Sequence, residues 1–520
     1  MNGPIRDAGF PCRLIAVIVV GLFSMGSTTP AAAAPEASAT KPARPPADFN
    51  GDGYRDLAVS KRDSSTGLVQ VTYGSPTSFT ATASRQWVPP SFSADISSGF
   101  GSALASGDFN GDGYSDLAIG DPLWDPVEGS GGWVVVMHGS ASGLSADRAQ
   151  QWSQSSRGVR GSPEPKDQFG QTLTAGNLGR GSQDDLAIGT PGENGVGAAQ
   201  ILYGTPAGLS SAGSQFWALA SPGIPGKARN GQMFGRALVA GDFDGGYDEL
   251  VIGVPSWSDI GSSGSVLLLR GSATGLTTQG LQRWQSGRDG VQGETGEHWF
   301  GETLAVGRFS GSGHLDLAIG NPNADLVDTG SAGVVHILRG TPNGLTATSD
   351  QLWSEYILGT RRECHCEPAE HPQFGATLLA ADFGHGSTDD LVVGVPGALA
   401  PGLDSGAVSV IYGTASGLRK THTRQLSQAT PGIRGNDPDG AGFGSALALA
   451  GPFSDTPYPT LVVGAPYYDP GSDSYSGGPG LLNLIQGSSD GLTIAGDQVL
   501  RARDFDPRPV GINFGSRLAG

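Results

Sequence analysis

The chain has 520 residues, among them 85 glycines and 35 prolines, with 15% charged residues and a formal net charge of -18. An acidic balance of this size excludes the basic face that a nucleic-acid partner requires. The glycines follow no Gly-X-Y period, which excludes a collagen-like chain and fits a turn-rich all-β protein.

In chain order, the N-terminus reads as an export signal. Arg6 and Arg13 precede the apolar run Leu14 to Phe23, and Ala31 to Ala34 offer a small-residue cleavage site. The run is short for a membrane span, so the reading is a signal over 1–34, a Pro/Ala-rich linker over 35–46 and one repeat domain over 47–520. No transmembrane segment is expected after cleavage. An uncleaved anchor is the alternative.

The repeat domain is built on the stretch Phe100 to Pro122, FGSALASGDFNGDGYSDLAIGDP, which restarts at Phe169, Phe234, Phe300, Phe374 and Phe443, about 65 to 75 residues apart. A fixed period means one supersecondary unit copied along the chain. Two fragments complete the set. Asp48 to Ser60 carries the second half of a unit, and Phe514 to Gly520, FGSRLAG, is an opening with nothing after it. Joined, they make a seventh unit. The expected fold is therefore an all-β, seven-bladed β-propeller of four-stranded blades, closed by pairing of the C-terminal strand with the N-terminal blade, which leaves no unpaired edge.

Each unit holds four strand candidates, exemplified by Phe100 to Phe109, Asp116 to Gly120, Trp133 to His138 and Ala149 to Trp152. Up-and-down connection puts the loop after strand one and the turn after strand three on one face of the ring. The turn Ser140 to Leu144, SASGL, recurs in every later unit, so Gly487 to Gly491, GSSDG, reads as the same turn despite its formal match to the G-x-S-x-G of hydrolases.

The loop after strand one carries the most informative chemistry. Asp108, Asn110, Asp112 and Asp116 place oxygen donors at positions 1, 3, 5 and 9, and Gly113 lets the backbone turn and present the Tyr114 carbonyl at position 7. The first unit repeats the pattern with Asp48, Asn50, Asp52, Tyr54 and Asp56. These are expected to be calcium loops, since carboxylates crowded without a cation repel one another. The bland alternative is an Asp/Asn/Gly turn that satisfies its own backbone. Asp242, Asp244 and Glu249 keep part of the set in a loop one residue shorter. Asn177 with Asp185, and Asp382 with Asp390, keep too little of it, while Arg308 replaces the first carboxylate of the fifth unit and the loop Gly451 to Thr460 has lost the pattern. These last two are expected to be metal-free.

Phe-Gly at the start of the unit, the Asp-x-Asn-x-Asp-Gly loop and the closing Gly-x-Pro together resemble the FG-GAP repeat of the integrin α-subunit head. The resemblance implies a seven-bladed propeller with calcium held by Asp48, Asn50, Asp52, Tyr54 and Asp56 and by Asp108, Asn110, Asp112, Tyr114 and Asp116. It also implies ligand binding on the opposite face. Leg domains and a C-terminal membrane span are not seen in this sequence, which departs from an integrin. A phospholipase that hydrolyses lipid anchors shares the repeat, but there a catalytic domain precedes the propeller.

The function expected is a secreted or cell-surface calcium-binding module for an extracellular protein or carbohydrate ligand. Candidate contact residues in the irregular loops are Trp124, Asp125, Glu128, Trp257, Asp259, Asp325, Asp328, Tyr467, Tyr468, Asp469 and Tyr475. The alternative is an extracellular hydrolase or lyase at the mouth of the propeller channel, although the eight histidines share no column and no nucleophile motif survives. Cys364 and Cys366, one residue apart, read as an exposed loop, with a local disulfide or a metal site as the alternatives.

Overall fold

The computed structural model describes residues 46–63, 66–87, 99–123, 131–256, 264–295, 299–324, 332–360, 372–398, 405–435, 440–453, 456–468, 478–505 and 513–520. Cys364, Cys366, Trp124, Asp125, Glu128, Trp257, Asp259, Asp325, Asp328, Asp469 and Tyr475 lie outside them.

Aliphatic runs such as DLAIGD (Asp116–Asp121) and ELVIGV (Glu249–Val254) are buried along their whole length. A strand hidden on both sides needs a sheet packed on each of its faces. The chain meets this need by forming seven four-stranded antiparallel sheets and packing them face against face. Each interface has its own core: Phe49, Val69 and Phe100 of one unit junction pack with Leu117, Ile119 and Val135 of the next sheet. At the following junction Phe109, Val134 and Val136 pack with Phe169, Leu186 and Ile188. The two α-helices among the described residues, Glu355–Leu358 and Ala502–Phe505, are single turns.

In every sheet the first strand of the unit lies innermost. Inner strands touch their neighbours in cyclic order around the whole ring. For the first blade the inner strand is Leu518–Ala519, which pairs antiparallel with Leu57–Asp63 through Ala58 with Ala519 and Val59 with Leu518. The end of the chain thus supplies the strand that its beginning lacks, and the propeller closes as the split seventh unit implies.

The glycines of the repeat signature have a steric cause. Gly101 donates its backbone N–H to the Gly120 carbonyl within its own blade, and Gly170, Gly235, Gly301, Gly375 and Gly444 make the same bond in theirs. A Cβ on Gly120 would overlap the carbonyl of Gly170 in the next blade. Phe-Gly and Gly-x-Pro are therefore two sides of one backbone-to-backbone contact between blades, where no side chain fits.

The turn Ser140 to Leu144 docks on the first-strand loop of the preceding blade, with Ser140 N–H to the Phe49 carbonyl at 3.1 Å and Leu144 N–H to the Tyr73 hydroxyl at 3.0 Å. The two features share a face as expected. In Gly487 to Gly491 the Ser488 hydroxyl donates to the Gly491 carbonyl at 2.6 Å, and Ser140 makes the matching bond to Gly143 at 2.8 Å. The hydrolase-like pentapeptide is a hairpin turn.

Candidate functional site

The loops at the outer ends of the inner strands are built from backbone amides closing on acidic side chains. In the second blade Asp108 accepts from Asp112 N–H at 3.1 Å and Gly113 N–H at 2.8 Å. Asn110 accepts from Asp112 N–H, and Asp112 accepts from Tyr114 N–H at 2.9 Å. The first blade repeats each of these bonds with Asp48, Asn50, Asp52 and Tyr54. Gly51 and Gly53 match Gly111 and Gly113 in left-handed backbone, with φ of 72° and 91° against 73° and 93°. Two sequence copies have become two superimposable loops.

The acid at position 9 has a second duty. Asp56 accepts from Phe49 N–H and from Gly74 N–H at the end of the third strand, at 2.8 and 2.9 Å. Asp116 does the same with Phe109 and Gly139, and Asp390 with Phe383 and Gly413. Asp185 and Asp316 hold Gly204 and Gly340. This carboxyl ties the loop to the blade whether or not the other ligand positions survive, and it is buried in the six loops that carry it; the seventh has Thr460 there. Burial raises its pKa: Asp56 to about 7, with the Asp52 and Asp48 charges adding to the rise, and Asp185 to about 8.

The third candidate loop differs. Asp242, Asp244 and Glu249 bring three carboxylates together, but the Arg270 guanidinium reaches in from the third strand. Its Nη1 lies 2.5 Å from Asp244 and 3.4 Å from Glu249. Glu249 is raised to about 7 by burial and the Asp244 charge, with Arg270 opposing. Here the protein's own cation meets the acids that the sequence pattern assigns to a metal. The equivalent third-strand residue is Tyr73 in the first blade and His138 in the second, where Nδ1 lies 3.1 Å from Asp116.

The opposite ends of the inner strands open into a cavity of about 620 Å³ at the centre of the ring. Its wall is a ring of seven half-buried leucines, Leu104, Leu173, Leu238, Leu304, Leu378, Leu447 and Leu518. Each takes one register position, opposite Ile119, Ile188, Ile252, Ile319, Val393, Val463 and Val59 of the adjacent strands. Above the leucines stand Arg236 and Glu302, joined at 2.8 Å, the exposed Arg517 and Tyr467. Arg517 Nε donates to the Ser102 carbonyl at 3.1 Å.

Of the contact residues expected from sequence, Tyr467 is exposed at 44% and lines this cavity. Tyr468 is corrected: at 3% exposure its ring belongs to the core with Tyr412, Phe443 and Ile485. The leucine ring and its arginines went unremarked in the sequence. Their signal is the Phe-Gly-x-x-Leu spacing shared by all seven openings, which a column-by-column comparison exposes.

These features define a seven-bladed β-propeller, and the family model described as FG-GAP repeat matches residues 100–137. Among characterised proteins, the chain is similar to the phosphatidylinositol-glycan-specific phospholipase D of Homo sapiens, 30% identical over 216 residues covering 41% of this chain and 24% of that protein. The Bos taurus enzyme of the same name is 30% identical over 185 residues, 35% of this chain and 21% of that protein. Integrin alpha-IIb of Homo sapiens is 28% identical over 267 residues, 49% and 22%. The chain thus spans between a fifth and a quarter of the length of these relatives. Among the described residues, no helix is long and apolar enough to cross a membrane.

Proposed function

We propose that the protein is a secreted or cell-surface β-propeller that binds an extracellular protein or carbohydrate at its channel mouth, with calcium stiffening the opposite face. The observation that carries the binding role is the central cavity, where all seven blades contribute to one pocket with an apolar wall and a rim of Arg236, Glu302, Arg517 and Tyr467. Its volume is in the range of ligand sites, and a few polar groups over apolar walls are what fixes a ligand's orientation. Location outside the cell is supported by the export-type N-terminus and by likeness to integrin α subunits.

The first two loops fit calcium in donor chemistry: every candidate ligand is an oxygen, and Asp56 is a buried acid whose pKa is raised by desolvation, with the Asp52 and Asp48 charges adding to the rise. Asp48, Asn50, Asp52, the Tyr54 carbonyl and Asp56 would hold one ion, and Asp108, Asn110, Asp112, the Tyr114 carbonyl and Asp116 a second. When bound, calcium would supply the charge that lets these acids stay ionised together. In the shorter loop Arg270 already supplies it.

A hydrolase or lyase at the same mouth needs an acid/base pair. Among the described lining residues Glu302 is the one carboxylate, and it is ion-paired to Arg236. The test is a glycan array and a panel of extracellular matrix proteins probed with the labelled protein. Capture that is lost in Arg517→Ala and Tyr467→Ala supports the reading. Capture unchanged in both moves the ligand off the mouth, and release of cleaved product makes the protein an enzyme.

A further inference from the structure

The loop of the fifth unit, Arg308 to Asp316, keeps the length of Asp108 to Asp116, its glycines at positions 4 and 6 (Gly311 and Gly313), its buried phenylalanine (Phe309) and its buried acid (Asp316). The ligand positions have changed sign or lost charge. Aspartate 1 is Arg308, asparagine 3 is Ser310 and aspartate 5 is Ser312.

The change leaves a mark on the backbone. In the second blade the Asp108 carboxylate accepts the N–H groups of Asp112 and Gly113. Their counterparts, Ser312 and Gly313, have no acceptor among the described residues. Gly313 keeps the left-handed backbone of Gly113, with φ of 81° against 93°, whereas Gly311 does not share the positive φ of Gly111; the two adjacent amides have lost the carboxylate that the chain supplies in the second blade.

The loop also borders a cavity of about 410 Å³ shared with the sixth unit, lined by Arg308, Ser310, Gly313, His385, Thr388 and Arg419 among others, with no carboxylate among the described lining residues. Neither Arg308 nor Arg419 makes an ion pair among the described residues, and both are exposed. Two acids border the loop and are held by its own groups: Asp389 accepts the Arg308 backbone N–H at 2.7 Å, and Asp316 accepts from Gly340 N–H at 2.7 Å and from Ser310. In a chain of net charge -18 this is a local reversal of sign.

We propose that this cavity is a binding site for a tetrahedral oxyanion, phosphate or sulfate, free or as the terminal group of an ester. The oxyanion accepts from Gly313 N–H, which borders the cavity. Arg308 and Arg419 supply charge-assisted hydrogen bonds, for which the planar guanidinium suits oxyanions. The site lies on the loop face, at the other end of the inner strands from the channel mouth, and stands independently of the ligand read there.

The test is calorimetric titration of the full chain with inorganic phosphate, sulfate and glycerol 3-phosphate, at ionic strength held constant with chloride. The expected result is saturable binding at one site, weakened about tenfold or more in Arg308→Ala and in Arg419→Ala, the loss of one charge-assisted hydrogen bond. Arg308→Asp, which returns a carboxylate to the two free amides, should abolish binding. Comparable affinity for glycerol 3-phosphate supports an ester-borne group, and binding of the inorganic ions alone supports a free anion. No saturable binding of any of the three overturns the proposal. So does binding unchanged in the arginine variants. Arg419 is exposed, so Arg419→Ala keeps the test open if the loop variants melt early.

Discussion

The loops Asp108–Asp116 and Arg308–Asp316 share a length, a pair of glycines and a buried position-9 acid, yet one gathers negative charge and the other has reversed it. Between them stands Asp242–Glu249, whose acids are met by Arg270. The comparison separates two jobs that one motif combines. Position 9 holds the loop to the third strand through backbone amides, and it persists in loops that have lost every other ligand. Positions 1, 3 and 5 decide which charge the loop presents, and these have drifted freely. A buried acid must be neutralised somehow. This protein offers a guanidinium at Glu249, oxygen-rich loops suited to a cation at Asp56 and Asp116, and at Asp185 little but a proton, since Arg180 lies over the Tyr203 ring at 4.8 Å instead.

The change that strikes all loops alike is removal of 514–520. It deletes the buried Phe514 and the inner strand of the first blade, and should lower stability by about 5 kcal/mol or more. A chemical melt unchanged by truncation would mean that the ring does not depend on its closing strand.

Position 9 can then be tested across the two extremes. Asp116→Ala and Asp316→Ala should each cost about 2–4 kcal/mol, because each strands buried backbone donors. The comparison breaks if Asp316→Ala is silent, for then position 9 matters only beside the other acids.

Calcium should divide the loops. Saturating calcium, at 100 times Kd, should raise stability by about 2.7 kcal/mol per site, and Asp112→Ala should remove one site's share. Ser312→Ala should leave the calcium shift intact. A wild-type melt indifferent to both calcium and chelator would reduce the first two loops to self-satisfied turns.

Arg270→Ala should destabilise by about 1–3 kcal/mol, since Glu249 is left buried beside Asp244 without its partner. Calcium should recover part of that loss if guanidinium and metal are interchangeable in this loop. Failure of calcium to help would show that the shorter loop admits only the side chain.

A pH dependence of stability is expected from Asp185. Burial raises its pKa to about 8 in the folded protein, above the value near 4 of an unfolded chain. The folded state therefore holds the proton more tightly, and stability falls as pH climbs through that interval. Denaturant melts at about pH 5 and about pH 8 should differ less in Asp185→Asn than in wild type. An equal difference in the two proteins would acquit Asp185.

Much of this was legible in the chain. Phe-Gly, the glycine-rich loop and the terminal fragments follow from local steric demands repeated at each interface, so they survive as a pattern: Gly120 must lack a side chain because the Gly170 carbonyl is there, and every blade meets the same neighbour. The split unit declared the closure by Leu518–Ala519 for the same reason. What the sequence could not determine was which side chains share space across blades. Tyr467 and Tyr468 are adjacent in sequence, yet one lines the channel and the other fills the core, both in the loop past the end of the strand Thr460–Ala465. Arg270 lies twenty-one residues beyond Glu249 and nothing local links them; only the hairpin return of the third strand sets the guanidinium over the acids. Arg308 and Arg419 come from different blades. Contacts within a repeat are written in its period, whereas contacts between unlike positions of neighbouring repeats arise when the ring closes and presses one blade's turn against the preceding blade's loop.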